Sequence, residues 1–104
     1  MEITHLEKMK EVSIEMLRKA LQSFLEENIL LAKEVGDLDD IVDEYNGETY
    51  KNLTTYLSEH SEETDQVVQL LFVNRFLERT ADHITNIAES TAYLIKGQMY
   101  DFNS

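Results

Sequence analysis

The chain has 104 residues, a length that suits one domain with a single small core. It contains no cysteine, which excludes disulfide bonds and thiolate metal sites, and it has no proline and only three glycines, which favours long helices over a turn-rich β fold. The formal net charge of −12 repels phosphate backbones and anionic lipids, so nucleic acid and membrane surfaces are unfavourable partners. Such an acidic surface either attracts cations or a basic partner, or serves only to keep the chain soluble.

The sequence also argues against membrane insertion and catalysis. No apolar run is long enough to span a bilayer, and the first residues lack the basic and then apolar pattern of a secretion signal. We therefore expect a cytoplasmic protein. Because no nucleophile with a neighbouring base and no glycine-rich phosphate loop occurs, the chain is not expected to be an enzyme.

Three amphipathic segments predict three helices, covering roughly residues 2–26, 29–58 and 62–96. Apolar residues recur in each segment at spacings of three or four, which is the pattern of helices that pack on one another. Two short polar turns join the segments, and Asn28 is a candidate N-cap for the second helix. We therefore predict an all-α fold, an antiparallel three-helix bundle that forms a single domain over residues 1–104.

The glycines and the apolar residues predict where the second and third helices bend or end and which face of the third helix is buried. Gly36 and Gly47 lie inside the second segment, where they either permit close helix packing or mark a bend or break; we favour one bent helix. Gly97 is expected to end the third helix. The apolar stripe predicted for that helix consists of Leu70, Val73, Leu77, Thr80, Ile84, Ile87, Thr91 and Leu94, with Ala81, Ala88 and Ile95 on one flank.

Two acidic pairs are the main chemical signal. Asp39 and Asp43 lie four residues apart on the second helix, and Glu78 and Asp82 do so on the third. In an antiparallel hairpin the two pairs reach similar heights, so they would face one another across a groove and suit Mg²⁺, Mn²⁺, Ca²⁺ or iron. The alternative is that each pair belongs to a solvated helix face, because such pairs arise often by chance in a chain with 21 acidic residues.

Other polar residues of the third helix suggest a surface that contacts a partner. His83 lies about 100° around the helix from the aspartate before it, so a partner contact is favoured over metal ligation. Asn86 lies near Arg75 and Arg79 on the helical projection and could serve an intermolecular surface. Glu89 would either extend the acidic row or belong to that surface.

The third helix contains one unusually specific stretch, Arg75-Phe-Leu-Glu-Arg-Thr-Ala-Asp-His-Ile-Thr-Asn-Ile-Ala-Glu89, and Tyr93-Leu-Ile-Lys-Gly97 follows it. A bundle does not require this combination of charged and polar residues, which resembles the signature of the PhoU family of bacterial phosphate-uptake regulators. Residues 16–24 and 32–43 resemble the first two helices of a PhoU repeat.

The resemblance implies a three-helix repeat that acts in phosphate-regulon signalling. It implies an adaptor that links the phosphate ABC transporter, through its ATPase subunit, to a sensor histidine kinase. The metal motif of the family is Glu or Asp, three residues and then Asp, and it falls on Asp39 with Asp43 and on Glu78 with Asp82. The resemblance suggests a cluster of iron or another divalent metal (Mn, Zn or Mg) there. The alternative is a metal-free helical interaction module that docks through its acidic surfaces.

Family members usually carry two such repeats, whereas this chain resembles one, the second. It would then be either a C-terminal fragment or a short form that dimerises. The aromatic residues Phe72, Phe76 and Tyr93 lie away from the predicted apolar stripe, which also indicates self-association or packing on a missing repeat. We therefore expect a homodimer.

Overall fold

The computed structural model of the chain describes the backbone of residues 4–103 and the side chains of residues 4–97. Nearly all of it is helical, and every helix packs on both of the others, so the predicted all-α three-helix bundle is confirmed. The bundle is long and narrow, with extents of 65 × 19 × 16 Å. Its elements are α1 (Leu6–Glu26), α2 (Ile29–Glu59), a 3₁₀ turn (Ser61–Glu63) and α3 (Thr64–Asn103).

Local chemistry sets the turn between α1 and α2. Glu27 adopts the left-handed conformation with φ of 53°, and its backbone N–H donates to the carbonyl of Ser23, which closes the last turn of α1. Asn28 then caps α2 as predicted: its Oδ1 accepts from the backbone N–H groups of Leu30 at 3.0 Å and Leu31 at 3.3 Å.

The end of α3 differs from the prediction. The helix continues past Gly97 to Asn103, because a glycine ends a helix when it adopts a positive φ and no glycine among the described residues does so. Because the 3₁₀ turn occupies Ser61–Glu63, α3 begins at Thr64, two residues after the predicted start. The predicted beginning of the first helix at Glu2 lies outside the described residues, within which α1 begins at Leu6.

Two glycines lie within α2 without breaking it. The helix runs uninterrupted through Gly36 and Gly47, in agreement with the prediction of one helix. A Cβ atom placed at either position would meet no atom within 4 Å. The glycines therefore do not serve close packing between helices.

The core consists of one narrow strip from each helix. Met9 and Met16 of α1 and Val35 and Val42 of α2 are fully buried. The strip of α3 is rotated relative to the predicted one and repeats every seven residues, which is the spacing of a helix that packs along a bundle seam. Its members are Val67, Asn74, Ala81, Ala88 and Ile95, and two residues of the predicted stripe beside them, Ile84 and Thr91, are buried as well.

For three residues of the predicted α3 stripe, the expectation that they are buried is therefore wrong. Val73 is 45% exposed, Ile87 54% and Leu94 58%. Ala81 and Ala88, which were expected to widen the stripe on one flank, are buried at its centre. Small side chains at a helix contact permit this rotation, which leaves Ile87 and Leu94 at the surface while Ile84 stays buried. Among the described residues, no helix combines the length and apolarity needed to cross a bilayer.

Candidate functional site

Three aspartates meet where α2 lies against α3. Asp39 and Asp43 extend from successive turns of α2, and Asp82 reaches them from α3. One carboxylate oxygen of each residue lies within 4.8 Å of those of the other two. Two oxygens on opposite sides of a single ion are separated by about 4.0 Å for Mg²⁺ and by up to about 5.2 Å for Ca²⁺, so one cation could contact all three residues. We call this group the aspartate cluster.

Burial and mutual repulsion perturb the aspartate cluster. Burial, followed by the negative charges of Asp43, Asp82 and Asp40, raises the pKa of Asp39 to about 6. The pKa of Asp43 is raised too, first by burial and then by the charges of Asp82 and Asp40. Because each ionised carboxylate makes the next harder to ionise, the cluster carries an electrostatic cost that a cation would remove.

The cluster also contains buried oxygen atoms that lack partners. Asp39 Oδ1 and Thr85 Oγ1 are both inaccessible to solvent, and neither has a hydrogen-bond partner among the described residues. The Thr85 hydroxyl lies near enough to Asp39 to lower its pKa slightly, but it is not in hydrogen-bonding geometry. An unsatisfied buried polar group costs about 1–3 kcal/mol. Carboxylate oxygens are preferred ligands of hard cations, so the donor set fits a metal ion.

Glu78, the fourth predicted ligand, does not belong to the cluster. Its Oε2 accepts a hydrogen bond of 2.5 Å from Nδ2 of Asn46 on α2. Asn46 is held in turn, because its backbone carbonyl accepts from Nδ2 of Asn74 at 3.1 Å. The carboxylate of Glu78 is therefore engaged in a separate contact between α2 and α3, one turn of α3 before Asp82.

Sequence reasoning missed the two asparagines. Asn74 is only 3% exposed and occupies a core position of α3. The burial of Asn74 could have been predicted, because this residue falls in the seven-residue repeat of Val67, Ala81 and Ala88. A buried amide needs a partner, which pointed to a polar contact inside the bundle.

The five residues predicted to contact a partner all lie on the surface of α3. His83 is exposed and is not part of the aspartate cluster. A shallow groove runs along the helix beside it and is lined by Phe72, Arg75, Phe76, Arg79, Thr80 and His83. Asn86 and Glu89 are exposed further along the same helix. These positions leave all five side chains accessible to another molecule.

Comparison with known proteins identifies relatives of the chain. The model of the PhoU domain matches residues 6–91. A protein of Clostridium acetobutylicum, named phosphate-specific transport system accessory protein PhoU homolog, is 39% identical over 88 residues, which are 85% of this chain and 40% of that protein. PhoU homolog 1 of Methanothermobacter thermautotrophicus is 38% identical over 80 residues, which cover 77% of this chain and 36% of the relative.

A third relative, the PhoU homolog of Xylella fastidiosa strain 9a5c, is 31% identical over 85% of this chain and 37% of its own length. The chain thus spans about two fifths of the length of the curated relatives that it matches. The matched residues 6–91 include α1, α2, most of α3 and all members of the aspartate cluster. The chain belongs to the PhoU domain family.

Proposed function

We propose that this protein regulates phosphate uptake and phosphate-regulon signalling as an adaptor that binds a metal ion at Asp39, Asp43 and Asp82. Family membership and the names of the relatives, accessory proteins of phosphate-specific transport, support the regulatory part. One observation carries the metal-binding part. Three carboxylates from two helices converge, and Asp39 presents a buried oxygen that has no hydrogen-bond partner within the described part of the chain.

The chain's own residues determine which ions suit the site. An all-oxygen donor set favours Mg²⁺, Mn²⁺, Ca²⁺ or iron, and Zn²⁺ also accepts carboxylates. A bound ion would offset the repulsion within the aspartate cluster. Because its ligands come from both α2 and α3, binding would also favour the packed arrangement of these helices and stabilise the fold.

The proposed partners are the ATPase subunit of a phosphate ABC transporter and a sensor histidine kinase. The surface we assign to them is the exposed part of α3 that carries Arg75, Arg79, His83, Asn86 and Glu89. We assign this surface because its side chains are exposed and do not contribute to the packing of the bundle. A homodimer is a further prediction, and its basis is the exposure of aromatic side chains such as Tyr93, which is 77% exposed.

The second candidate is a metal-free interaction module that docks through its acidic surface. Asp43 and Asp82 are both exposed, and the chain carries a net charge of −12, so a basic patch on a partner could neutralise the aspartate cluster in place of an ion. Such an interaction would weaken with added salt.

Metal content of untagged protein, measured by elemental mass spectrometry, tests the metal site. We expect a stoichiometric ion in the wild type and in the control Asp37→Asn, which changes an exposed aspartate of α2 outside the cluster. The ion should be lost in Asp39→Asn/Asp43→Asn and in Asp82→Asn. A wild-type protein that takes up no ion after incubation with divalent metals would eliminate the metal site and favour the second candidate.

The regulatory part needs a separate assay. The chain would be expressed in a bacterium that lacks its own PhoU protein and carries a reporter driven by a phosphate-starvation promoter. We expect the reporter to be repressed when phosphate is plentiful. Full reporter activity despite normal protein levels would contradict the regulatory proposal for the chain alone.

A further inference from the structure

One face of α3 carries exposed phenylalanines and arginines in alternation, in the order Phe72, Arg75, Phe76 and Arg79. Phe72 and Phe76 are each 68% exposed, and Arg75 and Arg79 are exposed beside them. His83 continues the same groove toward the C-terminal half of the helix. We call these five residues the arginine–phenylalanine strip.

The two arginines lack ionic partners within the chain. Among the described side chains, neither Arg75 nor Arg79 has a carboxylate within salt-bridge distance, whereas Arg18 binds Glu15 at 2.6 Å. This is unexpected in a chain with 21 acidic residues. The nearest acidic residue in the sequence is Glu78, and its carboxylate is occupied by the amide of Asn46.

The strip therefore costs the isolated bundle stability in two ways. Like charges four residues apart on a helix destabilise it by about 0.2–0.5 kcal/mol, which applies to Arg75 and Arg79. The phenylalanine rings leave apolar area in water that burial would stabilise by about 25 cal/mol per Å². No contact within the described residues offsets either cost, whereas a bound partner would offset both.

A second groove extends the strip toward α2 and adds an apolar wall. Val68, Leu71 and Phe72 line it together with Tyr50 and both arginines of the strip. Asn46 and Glu78, which are hydrogen-bonded to each other, also line it. Asn74 also lines this groove, and its Oδ1 is buried and has no hydrogen-bond partner among the described residues. The occupant that fits such a surface has both apolar side chains and carboxylates.

We infer that the arginine–phenylalanine strip is the docking site for an acidic amphipathic helix of a partner protein. The inference rests on the adaptor function proposed above and deepens it by naming the chemistry of the partner. Two carboxylates four residues apart on a helix are offset by about 6 Å along its axis, and Arg75 and Arg79 have the same offset on α3. Arginine suits this role because its planar guanidinium binds a carboxylate through two parallel hydrogen bonds.

Charge argues against a nucleic acid, an anionic membrane and a symmetric dimer as the occupant of the strip. A nucleic acid or an anionic membrane would extend beyond the strip and meet the acidic surface of a chain with a net charge of −12. In a symmetric dimer through this face, the arginine pairs of both copies would lie in one interface and repel each other. A short acidic helix on the strip meets less of the acidic surface than a nucleic acid or a membrane would, so the attraction of the two arginines weighs more.

The test uses a fluorescein-labelled, stapled helical peptide with two glutamates four residues apart and leucine and phenylalanine on the same face. Fluorescence anisotropy at low salt should show saturable binding to the full chain. We expect affinity to fall about tenfold or more in Arg75→Gln/Arg79→Gln and in Phe72→Ser/Phe76→Ser. The control Lys33→Gln/Lys51→Gln removes the same charge from exposed positions of α2, and it should change affinity less than twofold.

A charge exchange sharpens the test. A peptide with lysines in place of the glutamates should bind Arg75→Glu/Arg79→Glu more tightly than it binds the wild type. Three results would overturn the inference: no saturable binding to the wild type at about 1 mM, equal loss in the lysine control, or a wild-type dimer in sedimentation that Phe72→Ser/Phe76→Ser dissociates. The last result would assign the strip to a second copy of the chain.

Metal content measured on the same preparations separates this inference from the proposed metal site. The strip variants should retain the metal content of the wild type, and Asp82→Asn should still bind the acidic peptide. If the wild type holds the metal but does not bind the peptide, only the inference about the arginine–phenylalanine strip is contradicted. If the wild type binds the peptide but holds no metal, only the proposed metal site at the aspartate cluster is contradicted.

Discussion

The side-chain amide of Asn46 donates to Oε2 of Glu78 over 2.5 Å, and this hydrogen bond separates the four acidic residues that the sequence grouped together. It holds Glu78 in a contact between α2 and α3, while Asp39, Asp43 and Asp82 converge elsewhere on the same pair of helices. Glu78 therefore has a structural partner of its own, whereas the three aspartates have no hydrogen bond or ion pair among the described residues.

This relationship predicts different outcomes for two neighbouring acidic residues of α3. Glu78→Gln should keep the metal content of the wild type and lower the free energy of unfolding by about 1 kcal/mol, because a hydrogen bond to a charged acceptor becomes a neutral one. Asp82→Asn should lose the metal. Elemental mass spectrometry and urea denaturation measure both effects. Equal loss of metal in both variants would place Glu78 among the ligands.

The raised pKa of Asp39 predicts a pH dependence of stability. This carboxyl has a pKa of about 6 in the folded chain against an ordinary value of 3.8, so between about pH 4 and 6 the folded state binds the proton more tightly than the unfolded state. Ionisation of Asp39 therefore lowers the free energy of unfolding as pH rises through this window. Because the side chain is only partly buried, we expect a loss of about 1–2 kcal/mol, complete above pH 6.

Asp39→Asn isolates this contribution. In metal-free buffer, the variant should match the wild type near pH 4 and be more stable by about 1–2 kcal/mol at pH 7. Urea denaturation at the two pH values measures the difference, with Asp37→Asn as the exposed control. A constant difference between Asp39→Asn and the wild type at both pH values would contradict the raised pKa.

Metal uptake should depend on the same proton. An ion that binds Asp39 must displace the proton that the carboxyl holds below about pH 6. We therefore expect affinity to weaken progressively below that pH. Titration with Mn²⁺ at pH 5 and pH 7.5 measures the change, and equal affinity at both values would be inconsistent with ligation by Asp39.

The two glycines of α2 offer a route to greater stability. A Cβ atom at Gly36 or Gly47 would meet nothing within 4 Å, and neither residue has a positive φ. Each change to alanine should therefore raise the free energy of unfolding by about 0.5–1 kcal/mol. The residues are about 16 Å apart along the helix, so the effects should add.

Urea denaturation of the single and double glycine variants measures these gains. Lys33→Ala, at an exposed position of the same helix, should change stability by less than about 0.5 kcal/mol and serves as the control. Destabilisation by Gly47→Ala would indicate that the helix needs a glycine conformation at that position.

The cap of α2 gives a prediction of the opposite sign. Asn28 satisfies two backbone N–H groups at the start of the helix, at 3.0 and 3.3 Å. Asn28→Ala should lower the free energy of unfolding by about 1 kcal/mol, whereas Asn28→Asp should retain the cap. Thermal unfolding of both variants distinguishes them, and equal loss would show that the side-chain oxygen is not the source of the stability.

Local sequence determined the helices and the turn between α1 and α2. Three-to-four spacing of apolar residues, the absence of proline and the cap at Asn28 act within a few residues of one another, so the bundle could be predicted from them. The pairing of Asp39 and Asp43 could be predicted too, because four residues make about one turn of a helix.

Only the tertiary structure decided which face of α3 is buried and which carboxylates meet. Ala81 and Ala88 face the core while Ile87 and Leu94 lie at the surface, so α3 is rotated relative to the predicted stripe, as small side chains at a helix contact permit. That rotation, together with the amide of Asn46, brings Asp82 to the cluster and keeps Glu78 away. Spacing along a helix places residues on a common face, but contact between two helices depends on their rotation about their axes, which packing of the whole bundle sets.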